Sequence, residues 1–192
     1  MEPTYCSALF FAIILGKTNP MHLSLRKCTL TDLDDLVEMS KTTFAEAFEK
    51  DNNPEDFKAY LQEAFHPQKL AEELSNIYTH FYFVHNSSKR VAYMKLNVAS
   101  AQTDVHHPRA MEIERIYVAR EYQGMQIGAW MLNEIESIAK KFHKEFIWLG
   151  VWEHNPKAIA FYKRHGFVKF GEHPYYIGND KQTDWLLRLD LK

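Results

Sequence analysis

Apolar and polar positions first fall into a regular pattern at Leu23 to Thr29, where Leu23 and Leu25 alternate with Ser24 and Arg26 as in a half-buried strand. Thr31-Asp32 then predicts a helix start, with Asp34 and Asp35 in the first turn, where negative charge suits the helix dipole. Leu33, Leu36, Val37, Ser40, Phe44 and Phe48 keep a helical period until Asn52-Asn53-Pro54 breaks it. Phe57, Tyr60, Leu61 and Phe65 mark a second short helix, and Pro67 opens a third through Leu70 and Leu74. His80 to His85 and Arg90 to Val98 predict two strands joined by a polar hairpin connection at Asn86 to Lys89, and Ser100 to Arg109 reads as a polar loop.

Met111 to Val118 is strand-like, but its apolar parity slips: Met111 and Ile113 fall on one face, Ile116 and Val118 on the other. A β-bulge between Glu114 and Ile116 is the simplest cause, and bulges often sit beside active sites. Gln126 to Phe142 predicts an amphipathic helix with Ile127, Trp130, Met131, Ile135, Ile138 and Phe142 on one stripe. Phe146 to Trp152 is nearly continuous in apolar residues, the mark of a strand buried on both faces. Strand, glycine turn, helix and buried strand make a βαβ unit, which requires parallel strands and a right-handed crossover. Asn155-Pro156 predicts another helix start and Gly166 its end; Val168 to Ile177 and Gln182 to Leu191 predict two closing strands. The whole reads as one α+β domain around a mixed sheet.

Composition narrows the class of partner. A formal net charge of −2 over 192 residues lacks the basic footprint of a nucleic-acid binder, so no nucleic acid is expected. Hydrophobic residues make up 46% of the chain, enough to bury a real core. Cys6 and Cys28 form no CxxC pair and argue for neither a disulfide framework nor a zinc site, which makes a reducing cytoplasm the default compartment. His106-His107 and the other histidines show no metal-ligand spacing, and no metal is expected. The apolar run Ala8 to Leu15 has no Lys or Arg before it and is too short to span a bilayer, which needs ~20 apolar residues. No membrane association is expected. Met21 stands directly before the first strand, so residues 1–21 read as a leader outside the domain, with Met21 the working start, and 22–192 as the domain itself.

Two stretches carry candidate chemistry. IYVAREYQGMQIGAWML, from Ile116 to Leu132, sets glycines between a strand and the helix it feeds. Unpaired N–H groups at such a helix end can cradle a pyrophosphate, and glycine lets the backbone approach it closely. An ordinary strand-to-helix turn has the same spacing, and neither a GK[ST] nor a GxGxxG pattern is present. NPKAIAFYKRHGF, from Asn155 to Phe167, places Tyr162 two turns into a capped helix, a position where a tyrosine is more often simply packed.

Together these two stretches resemble the GNAT superfamily of N-acyltransferases, over about Leu23 to Leu191. The phrases ERIYVAREYQG, WLGVWEHNPKAIAFYKRHGF, VKFGEH and QTDWLLRL are similar to its PaiA-type branch, which acetylates spermidine and spermine. The resemblance implies the GNAT fold, a mixed sheet with flanking helices whose parallel strands splay around the coenzyme. It also implies acetyl-CoA as co-substrate, held by Ile116, Tyr117 and Val118 of the strand, by Gln123, Gly124, Met125, Gln126, Ile127 and Gly128 of the loop, and by Asn155 and Tyr162. Gln126 stands where the family loop usually has a small residue.

Tyr162 is the expected proton donor to the departing thiolate, since a phenol with an ordinary pKa of about 10 is protonated at neutral pH. Glu114 is the preferred general base, acting through water from the suspected bulge; Glu153 and His154 are alternatives, and a carboxylate paired with Arg115 is an equally good account of Glu114. Asp32, Asp34, Asp35, Glu38, Glu46, Glu49, Asp51, Glu55 and Asp56 crowd the first two helices, which in this fold overhang the acceptor, and such a field attracts a polycation. A charge run of this kind is also an ordinary solvated face. The expected reaction is acetyl transfer to a small-molecule primary amine, a polyamine first, by direct attack in a ternary complex, with a peptide amine or another small amine as alternative acceptors. A coenzyme-binding regulator without turnover is the alternative of another class. By analogy with the family, copies pair through their final strands as a homodimer.

Overall fold

The computed structural model describes residues 21–177 and 180–192, so the leader expectation for residues 1–20 lies outside the described residues. Seven strands form one sheet in the order β1-β2-β3-β4-β5-β7-β6. They are β1 (Leu23–Lys27), β2 (Thr79–Asn86), β3 (Lys89–Asn97), β4 (Ala110–Val118), β5 (Phe146–Trp152), β6 (Val168–Ile177) and β7 (Asp180–Asp190). Every neighbouring pair is antiparallel except β4 and β5, which run parallel as the βαβ pattern requires.

Helices cover both faces. On one, α4 (Ile127–Lys141) and α5 (Pro156–Arg164) bury Ile127, Met131, Ile135, Ile138, Ile159 and Tyr162 against Met111, Ile113, Ile147, Leu149 and Val151 of the sheet. On the other, α1 (Leu33–Phe48), α2 (Pro54–Ala64) and α3 (Pro67–Ser75) pack Leu36, Phe44, Phe57, Phe65 and Leu70 over Phe81, Phe83 and Tyr93. Leu36 and Leu70 are fully buried, and a side chain of that size contributes ~1.5–3 kcal/mol when removed from water. Met21 packs against the first of these clusters.

The helix starts follow the residue chemistry. Asn53 precedes Pro54, and its side chain accepts from the amides of Glu55 at 2.9 Å and Asp56 at 3.2 Å. Asn155 precedes Pro156 and accepts from the Ala158 amide at 3.0 Å. Gly166 closes α5 at φ 87°, a left-handed conformation that glycine adopts without a Cβ penalty. Phe142 corrects the expected stripe: it is the residue after the last turn of α4, is 38% exposed, and lies with its ring 4.9 Å from that of His80.

The parity slip in β4 is a bulge. Lys95 of β3 faces Arg115, whereas the next residue, Leu96, faces Ile113, leaving Glu114 as the extra residue. One inserted residue reverses the alternation, so Met111 and Ile113 before it and Ile116 and Val118 after it all pack against the same core. The bulge also ends the pairing of β4 with β5. Only Ala110, Met111 and Glu112 pair with Phe146, Ile147 and Trp148; beyond them β4 pairs with β3 alone and β5 with β7 alone.

Candidate active site

Splaying leaves a wedge between β4 and β5, and the cleft of about 1040 Å³ that fills it reaches both faces of the sheet. Ile116, Val151, Asn155, Ala158 and Tyr162 line it toward α5, while Tyr117 joins Phe44, Phe48, Tyr60, Glu63 and Phe65 on the side of α1 and α2. Past the bulge, the β4 edge that faces β5 has no strand partner, so its alternate N–H and C=O groups are turned toward the cleft.

A short helical turn at Arg120–Tyr122 leads from β4 into the glycine loop. Gly124 at φ 78° and Gln126 at φ 62° are both left-handed, and two such residues in three fold the chain tightly before α4 begins at Ile127. Among the described residues, the amides of residues 124–129 donate to no acceptor. They gather at the positive end of a helix of 15 residues, which is the arrangement that holds a diphosphate. The Gln123 side chain donates to the Val118 carbonyl at 3.1 Å and ties the loop back to the strand. A Cβ at Gly128 would lie 3.2 Å from the Phe161 ring of α5, tighter than an ordinary packing contact. Gln126, the departure from the family loop, holds a conformation that costs an L-residue roughly 1–2 kcal/mol.

Tyr162 is 8% exposed, with its ring 5.5 Å from that of Phe167 and 5.2 Å from that of Phe161. Burial pushes its hydroxyl well above the ordinary tyrosine range, so it stays protonated at neutral pH, the state an acid needs. Asn155 lines the same cleft with its carbonyl oxygen committed to the helix cap.

Glu114 lines the cleft from the bulge, but its carboxylate is occupied. Lys95 lies 2.6 Å away, the Asn97 amide donates to it at 2.5 Å, and Arg115 approaches to 3.4 Å. Burial on its own would raise this carboxyl; the two cations outweigh burial and hold it below the ordinary range. Lys95 also pairs with Glu73 at 2.9 Å, giving a buried network that ties α3 to β3 and β4. Glu112, one turn of the pleat away, accepts from Thr103 and Asn97, and burial raises its carboxyl. Glu153 and His154 do not line the cleft; they lie 3.9 Å apart where β5 turns toward α5.

The nine acidic residues of the first two helices do not line the cleft, which fits the solvated-face reading and not a field over the acceptor. α1 and α2 do overhang the cleft, but through Phe44, Phe48, Tyr60 and Glu63. Asp32 pairs with Arg26 at 2.8 Å and is held down to about 2, and Asp35 accepts from Arg90 at 2.7 Å. Helical period explains this placement: the apolar stripe that docks each helix also faces the cleft, and its acidic residues are turned away from that stripe. The carboxylates that do line the cleft are Glu63, Glu73, Asp104, Glu112, Glu114 and Asp184. Among the described residues no group of His, Cys, Asp and Glu could hold a metal ion, and no helix is long and apolar enough to cross a membrane.

A model of the acetyltransferase (GNAT) family matches residues 35–167. An uncharacterized N-acetyltransferase of Lactobacillus delbrueckii subsp. lactis is 38% identical over 160 residues, covering 83% of this chain and 92% of that protein. A spermidine N(1)-acetyltransferase of Thermoplasma acidophilum is 24% identical over 151 residues, 77% of this chain and 89% of the relative. Among solved structures, a PaiA N-acetyltransferase from the same organism in complex with coenzyme A superposes with a TM-score of 0.71 at 22% identity, over 88% of this chain and 99% of the other. The chain therefore belongs to the GNAT acetyltransferase family, and its fold is that family's mixed sheet with a parallel β4–β5 pair. It is an acetyl-CoA-dependent N-acetyltransferase.

Proposed function

We propose that the protein transfers the acetyl group of acetyl-CoA to a primary amine of a polyamine such as spermidine or spermine, by direct attack within a ternary complex. The observation that carries this reading is the acceptor side of the cleft, where Glu63, Asp104 and Asp184 stand among Phe48, Tyr60 and Trp152. Carboxylates attract ammonium groups and the aromatic faces suit both cations and the methylene chain between them. The similarity to a spermidine acetyltransferase supports the same reading.

In this mechanism the free amides of the glycine loop hold the diphosphate, while the open edge of Ile116, Tyr117 and Val118 and the side chain of Asn155 align the arm. The amine nitrogen attacks the thioester carbonyl carbon, the C–S bond breaks with its pair on sulfur, and the Tyr162 hydroxyl supplies the sulfur's proton. Cys28 offers no route through an acyl-enzyme: it lies in the α1–α3 core outside the cleft, and burial pushes its thiol up to about 12.

Thiol release from acetyl-CoA, measured with spermidine, spermine, a peptide panel and no acceptor, tests the proposal. Spermidine and spermine should give the fastest release, with monoacetylated polyamine as product. A peptide as best acceptor would overturn the polyamine assignment, and no thiol release with any of these acceptors would move the protein to the regulatory class.

A further inference from the structure

Two of the phrases that mark the sequence, VKFGEH and QTDWLLRL, have no part in holding the coenzyme, yet the β6–β7 hairpin brings them together. His173 and Asp184 are direct cross-strand partners, and both line the acceptor side of the cleft. The Nδ1 atom of His173 lies 2.5 Å from Oδ2 of Asp104, in the loop between β3 and β4, and its Nε2 atom lies 3.9 Å from Oδ2 of Asp184. A carboxylate can only accept, so Nδ1 carries the proton, and the neutral ring is left with its lone pair on Nε2.

Gly150 makes this approach possible. It stands on β5 just beyond the last residue paired to β4, and a Cβ there would lie 3.2 Å from Asp184 Oδ2 and 3.7 Å from His173 Nε2. The missing side chain lets both polar groups press against β5 at the mouth of the split. Trp148 and Gly150 alternate with Leu149 and Val151, which pack beneath α4 and α5, so His173 and Asp184 sit on the opposite face of the strand from Tyr162.

We propose that His173, oriented by Asp104, is the proton acceptor that converts the bound alkylammonium into the attacking amine, and that Asp184 holds the ammonium beside it. This rests on the amine-acetyltransferase reading above. The ammonium N–H bond breaks with its proton passing to Nε2 and its electron pair staying on nitrogen. That pair forms the bond to the thioester carbon. As the C–S bond breaks, Tyr162 protonates the sulfur; the second N–H proton of the adduct restores Tyr162 through water, and His173 returns its proton to solvent. One proton is released for each acetyl group transferred.

The charged groups at the imidazole are Asp104 from the loop before β4 and Asp184 from β7; Glu153, just past β5, acts on Asp184 from outside the cleft, and Glu63 of α2 lines the same cleft. Burial lifts the Asp184 carboxyl to about 6, with the protonated form of His173 pulling it down and Glu153 pushing it up; when the ring is neutral, a bound ammonium exerts the same downward pull. Glu114, held by Lys95 and Arg115, has no comparable freedom to take up a proton.

The test is the pH dependence of kcat/KM for spermidine in the wild-type protein, His173→Gln and Asp104→Asn, with acetyl-CoA affinity measured by calorimetry. His173→Gln should lower kcat/KM about 100-fold at neutral pH, recover toward wild type at alkaline pH where the free amine is abundant, and leave acetyl-CoA affinity unchanged. Asp104→Asn should give an intermediate loss with a displaced acid limb, as expected of a positioning residue. Added imidazole should restore turnover to His173→Gly, which a structural role would not allow. Wild-type kcat/KM across the pH range in His173→Gln overturns the proposal. So does loss of acetyl-CoA affinity in that variant without imidazole rescue of His173→Gly, since both would then report unfolding. Wild-type protein that acetylates no amine overturns the function itself, a result distinct from either.

Discussion

On the α4–α5 face of the split the polar groups belong mostly to the backbone, with the Tyr162 hydroxyl and the Asn155 side chain as exceptions, whereas on the α1–α3 face they belong to side chains. The α4–α5 side offers free amides at residues 124–129 and an open β4 edge, set in Ile127, Met131, Ile159 and Val151. The opposite side offers Glu63, Glu73, Lys95, Asp104, Glu112, His173 and Asp184. Backbone donors suit a ligand that is always the same, because their positions follow from the fold and tolerate many sequences. Side chains suit the acceptor, which differs between relatives and must be read by charge and shape. The two sides also fail differently: the first through conformation, the second through unpaired charge.

Lys95 puts the largest number on that contrast. Its ammonium is 5% exposed between Glu73 and Glu114, and losing one partner of a buried ion pair costs ~3–5 kcal/mol. Lys95→Met should lower unfolding stability by about 3 kcal/mol in urea titrations. A change below about 1 kcal/mol would mean that the network is solvated, as surface pairs are.

Tyr162→Phe probes the α4–α5 side without altering charge. Turnover should fall about 100-fold, or about 2.7 kcal/mol, while the KM for acetyl-CoA stays the same. Wild-type turnover would remove Tyr162 from the reaction and leave it a core residue.

Gln126→Gly should act through conformation alone. Releasing a left-handed residue from its Cβ should stabilise the fold by ~1 kcal/mol in thermal unfolding. Coenzyme affinity that rises with it would show that the Cβ also crowds the diphosphate; unchanged affinity would limit the effect to strain.

The last effect lies outside the cleft and is smallest at neutral pH, where the His80 ring is uncharged in both the folded and the unfolded chain. Both ring nitrogens of His80 are buried without a hydrogen-bond partner, and burial depresses the imidazole to about 4. An unfolded histidine binds its proton below ~6.5, so stability falls as pH drops from there toward about 4. His80→Leu should flatten that slope in denaturation measured across the same range, leaving the neutral-pH turnover unchanged.

Backbone-determined features were the legible ones. Asn53, Asn155 and Gly166 announce their caps because a single residue type solves each local problem. The parity slip announces the bulge because the alternation in β4 has no slack. For the acidic crowd on α1 and α2 the sequence left both an acceptor field and a solvated face open, because a count of charges carries no direction until the docking stripe is known; the structure fits the solvated face. Glu114 could be placed at the bulge but its partners could not, since Lys95 and Glu73 lie on other elements. The pairing of His173 with Asp104 and Asp184 depends on tertiary contacts across up to 69 residues of chain. A lysine amid the apolar run VAYMKLNV was the available hint of the buried network.

The most direct test is a crystal structure with a bisubstrate analogue, coenzyme A joined through its sulfur to an acetylated polyamine. The account predicts the diphosphate on the amides of residues 124–129, the sulfur within hydrogen-bond reach of the Tyr162 hydroxyl, and the polyamine nitrogen emerging on the other face beside His173 and Asp184. A diphosphate bound away from the loop, or a polyamine leaving on the α4–α5 side, would contradict it.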